Sequence, residues 1–129
     1  MIVDSSYIFE LDADAAFQKG VALAEDGVQQ RIPTPVITEV RYGVESVRGS
    51  ATARQVENRL MGQTVEVVDE AVARKAAKLL ASADDEWGGD SGADFIDAMI
   101  AGVADKYGEP VLTQNVRDFE RLGVDVETW

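Results

Sequence analysis

The sequence lacks two residue types on which much of enzyme chemistry depends. It has no cysteine and no histidine among its 129 residues. The absence of cysteine excludes a disulfide framework and a thiolate metal site, and the absence of histidine removes the commonest general base and the commonest nitrogen ligand for a metal. Any catalysis by this chain must therefore rest on carboxylates, hydroxyl groups, lysine, arginine or a bound metal ion.

Long apolar runs are also missing. No segment approaches the roughly 20 consecutive apolar residues of a transmembrane helix, and Asp4 falls too early for a secretory signal peptide. We therefore expect a cytoplasmic protein without a membrane partner. Its length suits one domain that buries a sizeable core, and we expect a single domain over residues 1–129.

Basic residues are scarce: 12 lysines and arginines face 24 acidic residues, and the formal net charge is −12. Such a surface repels nucleic acid at low salt. It is also what a salt-rich cytoplasm selects, because hydrated carboxylates keep a protein soluble there and a Debye length of about 3 Å at molar salt screens distant charges. We hypothesise a halophilic, haloarchaeal source. Unfolding in low-salt buffer would support this hypothesis, and full stability there would contradict it.

Short strands alternate with helices along the chain. Strands are predicted at residues 1–3, 65–68, 111–113 and 124–129. A further strand at residues 31–34 should be minor, because Pro33 and Pro35 disfavour a central position in a sheet. Helices are predicted at residues 13–25, 36–47, 50–60, 70–83 and 94–107. Crossovers of about a dozen residues favour a mainly parallel sheet covered on both sides, a three-layer α/β/α fold.

The most informative stretch is residues 92–119, which predicts an amphipathic helix, a tight turn, a strand and the start of another helix. Asp97 lies on the border of the apolar stripe of that helix, about 60° from it, beside small residues that leave room around a carboxylate. A boundary acid in a solvated groove explains Asp97 equally well. The opposite face carries Asp94, Ala98 and Ala101, and we expect Asp94 to point to solvent.

Glu39 repeats the geometry of Asp97 on another helix. It lies about 60° from Val36 on the border of an apolar stripe, next to Gly43, which has no side-chain bulk. The alternative is an acid in the first turn of a helix, where the helix dipole favours negative charge. Two such border positions in one small domain favour a shared site.

Two further acids follow predicted strands. Asp4 ends the first strand, where open α/β sheets place ligands, although an N-cap role fits the same position. Ser5 or Ser6 can cap the helix that follows. Asp118 comes after a later strand, and its spacing from Asn115 also fits a capping box.

Clustered carboxylates at one edge of a sheet point to a cation. The carboxyl ends of parallel strands share one edge, so Asp4 and residues 113–118 should be neighbours. Carboxylates repel one another unless a positive group binds between them. Hard oxygen ligands suit Mg²⁺ or Mn²⁺, and such ions lower the pKa of bound water and neutralise charge on a phosphate.

The chain resembles the PIN-domain ribonucleases, and specifically the VapC-type toxins of toxin-antitoxin pairs, in four ordered segments: MIVDSSYI, PVITEVRYGV, DAMIAGVADKYGEPVLTQNVRDF and the final VETW. The resemblance covers essentially the whole length. It implies metal binding by four acids, namely Asp4, Glu39, Asp97 and Asp118, the last often through water. It also implies that Thr113 and Asn115 orient the first aspartate and the waters of the metal. Asp94 remains a weaker candidate for the metal site, as an acid of its outer shell.

The activity that the resemblance implies is hydrolysis of an RNA phosphodiester by a metal-activated water, which leaves a 5′-phosphate and a 3′-hydroxyl. The implied substrate is structured RNA such as tRNA or rRNA. The implied partners are a small VapB-like antitoxin and a second copy of the chain in a homodimer. Candidates for phosphate contacts are Arg41, Arg48, Arg54, Arg59 and Arg117, although an exposed arginine is usually just solvated.

Other functions remain open. A housekeeping PIN nuclease in RNA processing would use the same residues. A non-catalytic PIN-like scaffold or acidic binding module would keep the fold alone, although the intact set of four acids argues against it. A phosphotransfer domain is disfavoured, because Ser6 stands where aspartyl phosphatases have a second acid and no lysine follows Lys106 to serve a receiver domain.

Overall fold

The computed structural model describes residues 1–46, 50–61 and 63–129. That part of the chain contains five strands, and one or two helices lie between each strand and the next, seven in all. The strands are β1 (Ile2–Val3), β2 (Arg31–Pro33), β3 (Thr64–Glu66), β4 (Val111–Leu112) and β5 (Val126–Glu127). The helices are α1 (Ser5–Glu10), α2 (Asp14–Glu25), α3 (Thr34–Ser46), α4 (Ser50–Leu60), α5 (Glu70–Glu86), α6 (Phe95–Tyr107) and α7 (Val116–Arg121). Within the same ranges, no helix has both the length and the apolar character needed to cross a membrane.

The strands form one parallel sheet in the order β3-β2-β1-β4-β5. β1 is central and fully buried, and its Ile2 is in register with Arg31 of β2 on one side and with Val111 of β4 on the other. The predicted α/β fold with a parallel sheet is confirmed. Since the chain leaves β1 for β2 on one side and β4 flanks β1 on the other, the crevice at the carboxyl ends of β1 and β4 is the topological switch point, where such sheets bind ligands.

The strand at Arg31–Pro33 is an inner strand of the sheet. β2 pairs with both β1 and β3, so the prediction of a minor strand was wrong. Pro33 is the last residue of β2, and α3 begins at Thr34. Pro35 therefore falls in the first helical turn, where a backbone N–H has no helical partner to lose. The two prolines end the strand and start the helix instead of interrupting the ladder.

Two other elements differ from their predicted limits. α1 starts directly after β1, so Ser5 and Ser6 are its first residues and not caps, and its N-cap Asp4 makes no side-chain cap hydrogen bond. α5 continues past its predicted end to Glu86. The side chain of Asp69 caps α5 by accepting a hydrogen bond from a first-turn N–H, as expected.

α6 is enclosed on more sides than the helical wheel indicates. Ala98, Ala101 and Ala104 are at most 2% exposed, so the alanines opposite the apolar stripe are buried as well. A Cβ on Gly102 would lie 3.0 Å from the carbonyl oxygen of Val72 in α5. Small residues in α6 therefore let its neighbours approach closely, and this packing fixes the helix that carries Asp97.

Replacing Gly102 with valine should lower the free energy of unfolding by about 1 to 3 kcal/mol, because the branched side chain must displace Val72 or the backbone of α5. Ala77→Val on the exposed face of α5 is the matched control. It should cost only the lower helix propensity of valine, about 0.5 kcal/mol. Urea unfolding measures both values, and equal losses for the two variants would contradict the close packing at Gly102.

Candidate functional site

Asp4 and Thr113 meet across the crevice between β1 and β4. Asp4 directly follows β1, Thr113 directly follows β4, and both are buried. The hydroxyl of Thr113 donates a hydrogen bond to Oδ2 of Asp4 at 2.7 Å and accepts one from the backbone N–H of Asn115 at 2.9 Å. These two bonds hold the carboxylate of Asp4 at the topological switch point.

The two serines that follow Asp4 also contact acids. Ser6 Oγ donates to the same Oδ2 of Asp4 at 2.7 Å, whereas Ser5 Oγ lies 3.5 Å from Oδ1. Ser5 also lies near Glu39 and lowers the pKa of its carboxyl group. The sequence interpretation gave both serines a capping role and missed these contacts; the available signal was two hydroxyl residues in direct succession to an acid at a strand end. Oδ1 of Asp4, with one long contact, is the oxygen left for a ligand.

Glu39 lies in α3, half-buried next to the other acids. Burial raises its pKa above the ordinary value, and the hydrogen bond from Ser5 opposes that rise. Three neighbouring charges reinforce the rise, those of Asp4, Asp97 and Asp94. Because α3 begins at Thr34, Glu39 is not in its first turn, and the helix dipole therefore does not account for this acid.

Asp97 has a structural role that the sequence interpretation did not assign to it. Asp94 is the N-cap of α6, and its Oδ1 accepts hydrogen bonds from the backbone N–H groups of Ile96 at 2.7 Å and Asp97 at 2.9 Å. In return, Oδ2 of Asp97 accepts the backbone N–H of Asp94 at 3.0 Å. This reciprocal pair is a capping box. It engages one oxygen of Asp97 and leaves Oδ1 for another partner.

The carboxyl group of Asp97 titrates well above its usual range. Burial raises its pKa to about 6, and the charges of Asp94, Asp4 and Asp118 add to the effect, whereas the hydrogen bond from Asp94 lowers it. These interactions show that Asp4, Asp97 and Asp118 lie within electrostatic reach of one another. Glu39 belongs to the same group through its own coupling to Asp4 and Asp97.

Asp118 is buried in the first turn of α7. Burial alone would raise its pKa, but hydrogen bonds from Arg117 and Asn115, with the positive charges of Arg117 and Arg121, lower it below the ordinary value. The bond from Nε of Arg117 to Oδ1 of Asp118 is 2.8 Å long. Asn115 makes no cap hydrogen bond, so a capping box does not account for Asp118.

Of the arginines proposed for phosphate contacts, Arg117 lies beside the acids. Arg41 forms an ion pair between α3 and α4, and Arg59 donates to backbone carbonyls of α1 with its side chain only 15% exposed. Both therefore hold helices together. Arg54 is exposed on α4, and Arg48 lies outside the described residues.

The donor chemistry of these acids suits a hard divalent cation, because all the side-chain donors are oxygens. Within residues 1–46, 50–61 and 63–129, however, no three acidic side chains lie close enough to hold one ion in their present conformations. Asp4 and Asp97 each use Oδ2 for a positioning hydrogen bond, which leaves Oδ1 of each. Binding of Mg²⁺ or Mn²⁺ would require the acids to approach one another from these positions.

Comparison with known proteins identifies the fold. The family model described as PIN domain matches residues 1–125, and no curated protein sequence matches the chain. DNA-bound VapBC from Salmonella typhimurium has 26% sequence identity and a TM-score of 0.78, over 99% of this chain and 96% of that one. VapBC2 from Rickettsia felis, bound to a promoter DNA fragment, has 16% identity and a TM-score of 0.86, over 99% and 97%. VapC20 from Mycobacterium tuberculosis, a sarcin-ricin loop cleaving toxin, has 22% identity and a TM-score of 0.70, over 95% of each chain.

Asp97 should make the metal-free protein more stable in mild acid. Its folded-state pKa of about 6 lies above the ordinary 3.8, so folding favours its protonated form; this stabilisation is complete below the unfolded value and is lost as pH rises through about 6. Asp97→Asn keeps an acceptor for the N–H of Asp94 and removes the titration. In EDTA, the Tm of the wild type should rise more between about pH 7.5 and about pH 5 than that of Asp97→Asn. Equal rises would contradict the raised pKa.

Proposed function

Because the chain belongs to the PIN domain family, we propose that it is a metal-dependent endoribonuclease and the toxin of a VapBC-type toxin-antitoxin pair. The observation that carries the proposal is the electrostatic coupling of four acids, namely Asp4, Glu39, Asp97 and Asp118, at the switch point of a parallel sheet. Carboxylates that lie close together in a partly buried crevice disfavour the ionised form of one another, and a bound cation would remove that cost. Such clusters are typical of functional sites.

In this proposal the four acids hold one or two Mg²⁺ or Mn²⁺ ions. A divalent ion bound there supplies a water of lowered pKa and neutralises charge on the scissile phosphate. Thr113 and Ser6 fix the carboxylate of Asp4 through hydrogen bonds to Oδ2. Asn115 lies near Asp118 and lowers the pKa of its carboxyl group. Asp94 positions Asp97 through the capping box, so we assign Asp94 a positioning role.

The similar structures suggest the substrate and the partners. VapC20 from Mycobacterium tuberculosis is described as cleaving the sarcin-ricin loop, and the structures from Rickettsia felis and Salmonella typhimurium are VapBC assemblies on DNA. We propose structured RNA, either tRNA or rRNA, as the substrate of this chain. A small VapB-like antitoxin and a homodimer complete the proposed assembly, in the cytoplasm.

Cleavage of purified tRNA and rRNA in the presence of Mn²⁺ and KCl tests the activity. Asp4→Asn and Asp97→Asn should each lower the cleavage rate by about 100-fold or more, because each removes a charged ligand while keeping the size of the side chain. Asp26→Asn is the matched control, since it makes the same change at an exposed acid that follows α2 as its C-cap residue, away from the switch point, and should cleave like the wild type. EDTA should abolish cleavage by the wild type.

The outcomes test three proposals separately: the nuclease activity, the assignment of the acids as its site, and the role as a toxin. Absence of cleavage by the wild type on both RNA classes would overturn the nuclease proposal, whereas equal cleavage by wild type and Asp97→Asn would overturn the site. Circular dichroism confirms that each variant is folded. Growth arrest on expression, relieved both by Asp4→Asn and by coexpression of the short neighbouring gene product, distinguishes a toxin from a housekeeping nuclease.

A further inference from the structure

A cavity with an exposed tryptophan lies beside the candidate acids. It has a volume of about 310 Å³ and is lined by Glu86, Trp87, Arg117, Glu120, Arg121 and Gly123. We call it the Trp87 cavity. Arg117 lines it and at the same time donates a hydrogen bond to Oδ1 of Asp118 at 2.8 Å, so the cavity is adjacent to one of the candidate acids. Arg121 also lowers the pKa of Asp118 through its charge, whereas no part of the candidate metal site accounts for Trp87.

Local geometry explains how Trp87 reaches this position. Trp87 follows α5 as its C-cap residue and is 48% exposed. The guanidinium of Arg121, at the end of α7, lies 4.0 Å from the centroid of the indole ring and donates to the carbonyl of Ser91 at 2.7 Å. This cation–π stack holds the ring in a fixed orientation at the cavity wall.

Gly92 allows both arginines to lie next to Asp118. Its φ of +88° belongs to the left-handed region that favours glycine, and a Cβ there would lie 3.2 Å from Oδ1 of Asp118 and 3.3 Å from a guanidinium nitrogen of Arg117. A guanidinium nitrogen of Arg121 would lie 3.7 Å from the same Cβ. The glycine in the loop between α5 and α6 thus leaves room for two arginines of α7 beside Asp118.

Two arginines and two glutamates line this cavity, so its charge is balanced in a chain with a net charge of −12. Half of the basic side chains of the chain, by contrast, form ion pairs with carboxylates away from the cavity, namely Lys19, Arg31, Arg41, Arg59, Arg74 and Lys75. Arg121 instead contacts a backbone carbonyl and an aromatic ring, and the side chain of Arg117 is 67% exposed. Both guanidinium groups therefore keep donors for an incoming anion, although Glu86 and Glu120 limit the positive potential of the rim.

We propose that the Trp87 cavity binds an unpaired nucleotide of the RNA substrate next to the scissile phosphate. This inference rests on the proposed ribonuclease function and names the part of the RNA that the site recognises. The base stacks on the exposed part of Trp87, and the adjoining phosphate accepts hydrogen bonds from Arg117. Base stacking on aromatic side chains and arginine contacts to the backbone are how proteins bind single-stranded RNA.

Quenching of tryptophan fluorescence tests the proposal independently of cleavage. The chain has two tryptophans, so Trp129→Phe leaves Trp87 as the single reporter. Asp97→Asn in the same protein prevents hydrolysis. A short single-stranded oligouridylate added in the presence of Mg²⁺ should quench the emission of Trp87. A fluorescein-labelled copy of the same oligonucleotide gives the Kd by anisotropy.

Substitutions in the cavity should change the Kd for the oligouridylate by predictable amounts. Trp87→Ala should raise the Kd for the oligouridylate about tenfold, as for the loss of one base stack, while Trp87→Phe should keep most of the affinity. Arg121→Ala should weaken binding because it frees the ring of Trp87. Two matched controls should bind normally: Arg74→Ala removes an exposed arginine at the other end of α5, and Phe17→Ala removes an exposed aromatic ring on α2.

The possible results separate this proposal from the nuclease proposal. Unchanged affinity in Trp87→Ala and absence of quenching would overturn the cavity as a nucleotide site, even if the wild type cleaves RNA through its acids. Quenching with a Kd that Trp87→Ala raises would support the cavity, even if no cleavage were found. Equal losses in Trp87→Ala and Phe17→Ala would overturn the specific role of the cavity.

Discussion

Asp97 experiences the negative charges of Asp4 and Asp118, Glu39 those of Asp4 and Asp97, and hydrogen bonds from Ser6, Thr113, Asp94 and Arg117 fix Asp4, Asp97 and Asp118 in place. Their pKa values move in opposite directions: burial raises those of Glu39 and Asp97, whereas Arg117 and Asn115 lower that of Asp118. Glu39 and Asp97 therefore bind a proton more readily than an ordinary carboxylate does, and Asp118 binds one less readily. Such divergence between neighbouring titratable groups is common at functional sites.

The bonds that hold these acids also hold the fold together. The hydrogen bond from Thr113 to Asp4 joins the ends of β1 and β4, and the capping box of Asp94 and Asp97 satisfies N–H groups at the start of α6. A capping role and a ligand role use different oxygens of Asp97, so they are compatible. Carboxylates that ligate metals are usually fixed by hydrogen bonds of this kind, because orientation of the free oxygen determines affinity.

The alternation of apolar strands and helices was sufficient to predict a parallel α/β sheet and the edge at which Asp4 and Thr113 meet. It could not give the order of the strands, so Pro33 and Pro35 were interpreted as signs of a minor strand although they only end β2. A helical wheel shows which residues share a face, but not how many neighbours a helix has. For that reason the burial of Ala98 was missed.

Side-chain partners were the least predictable part of the site. The sequence analysis considered a capping box at Asn115 and Asp118 as the alternative to a metal-binding role, but the capping box occurs at Asp94 and Asp97. Both spacings fit the motif, and only the backbone conformation decides between them. No sequence pattern marked Trp87 as a functional residue, because its position depends on a contact with Arg121, which is distant in sequence. Contacts of this kind follow from tertiary structure and leave no periodic signal in the chain.

A chain with a net charge of −12 needs a specific reason to bind RNA. At low salt the repulsive field reaches about 10 Å or more, and at molar salt it falls to about 3 Å, a distance at which only groups in contact matter. Arg117 and Trp87 are such contact groups beside the acids. Phosphate contacts weaken as salt rises because they depend on counterion release, whereas the apolar part of base stacking does not. If the acidic surface is an adaptation to salt, recognition should therefore depend more on the ring of Trp87 than on the charge of Arg117.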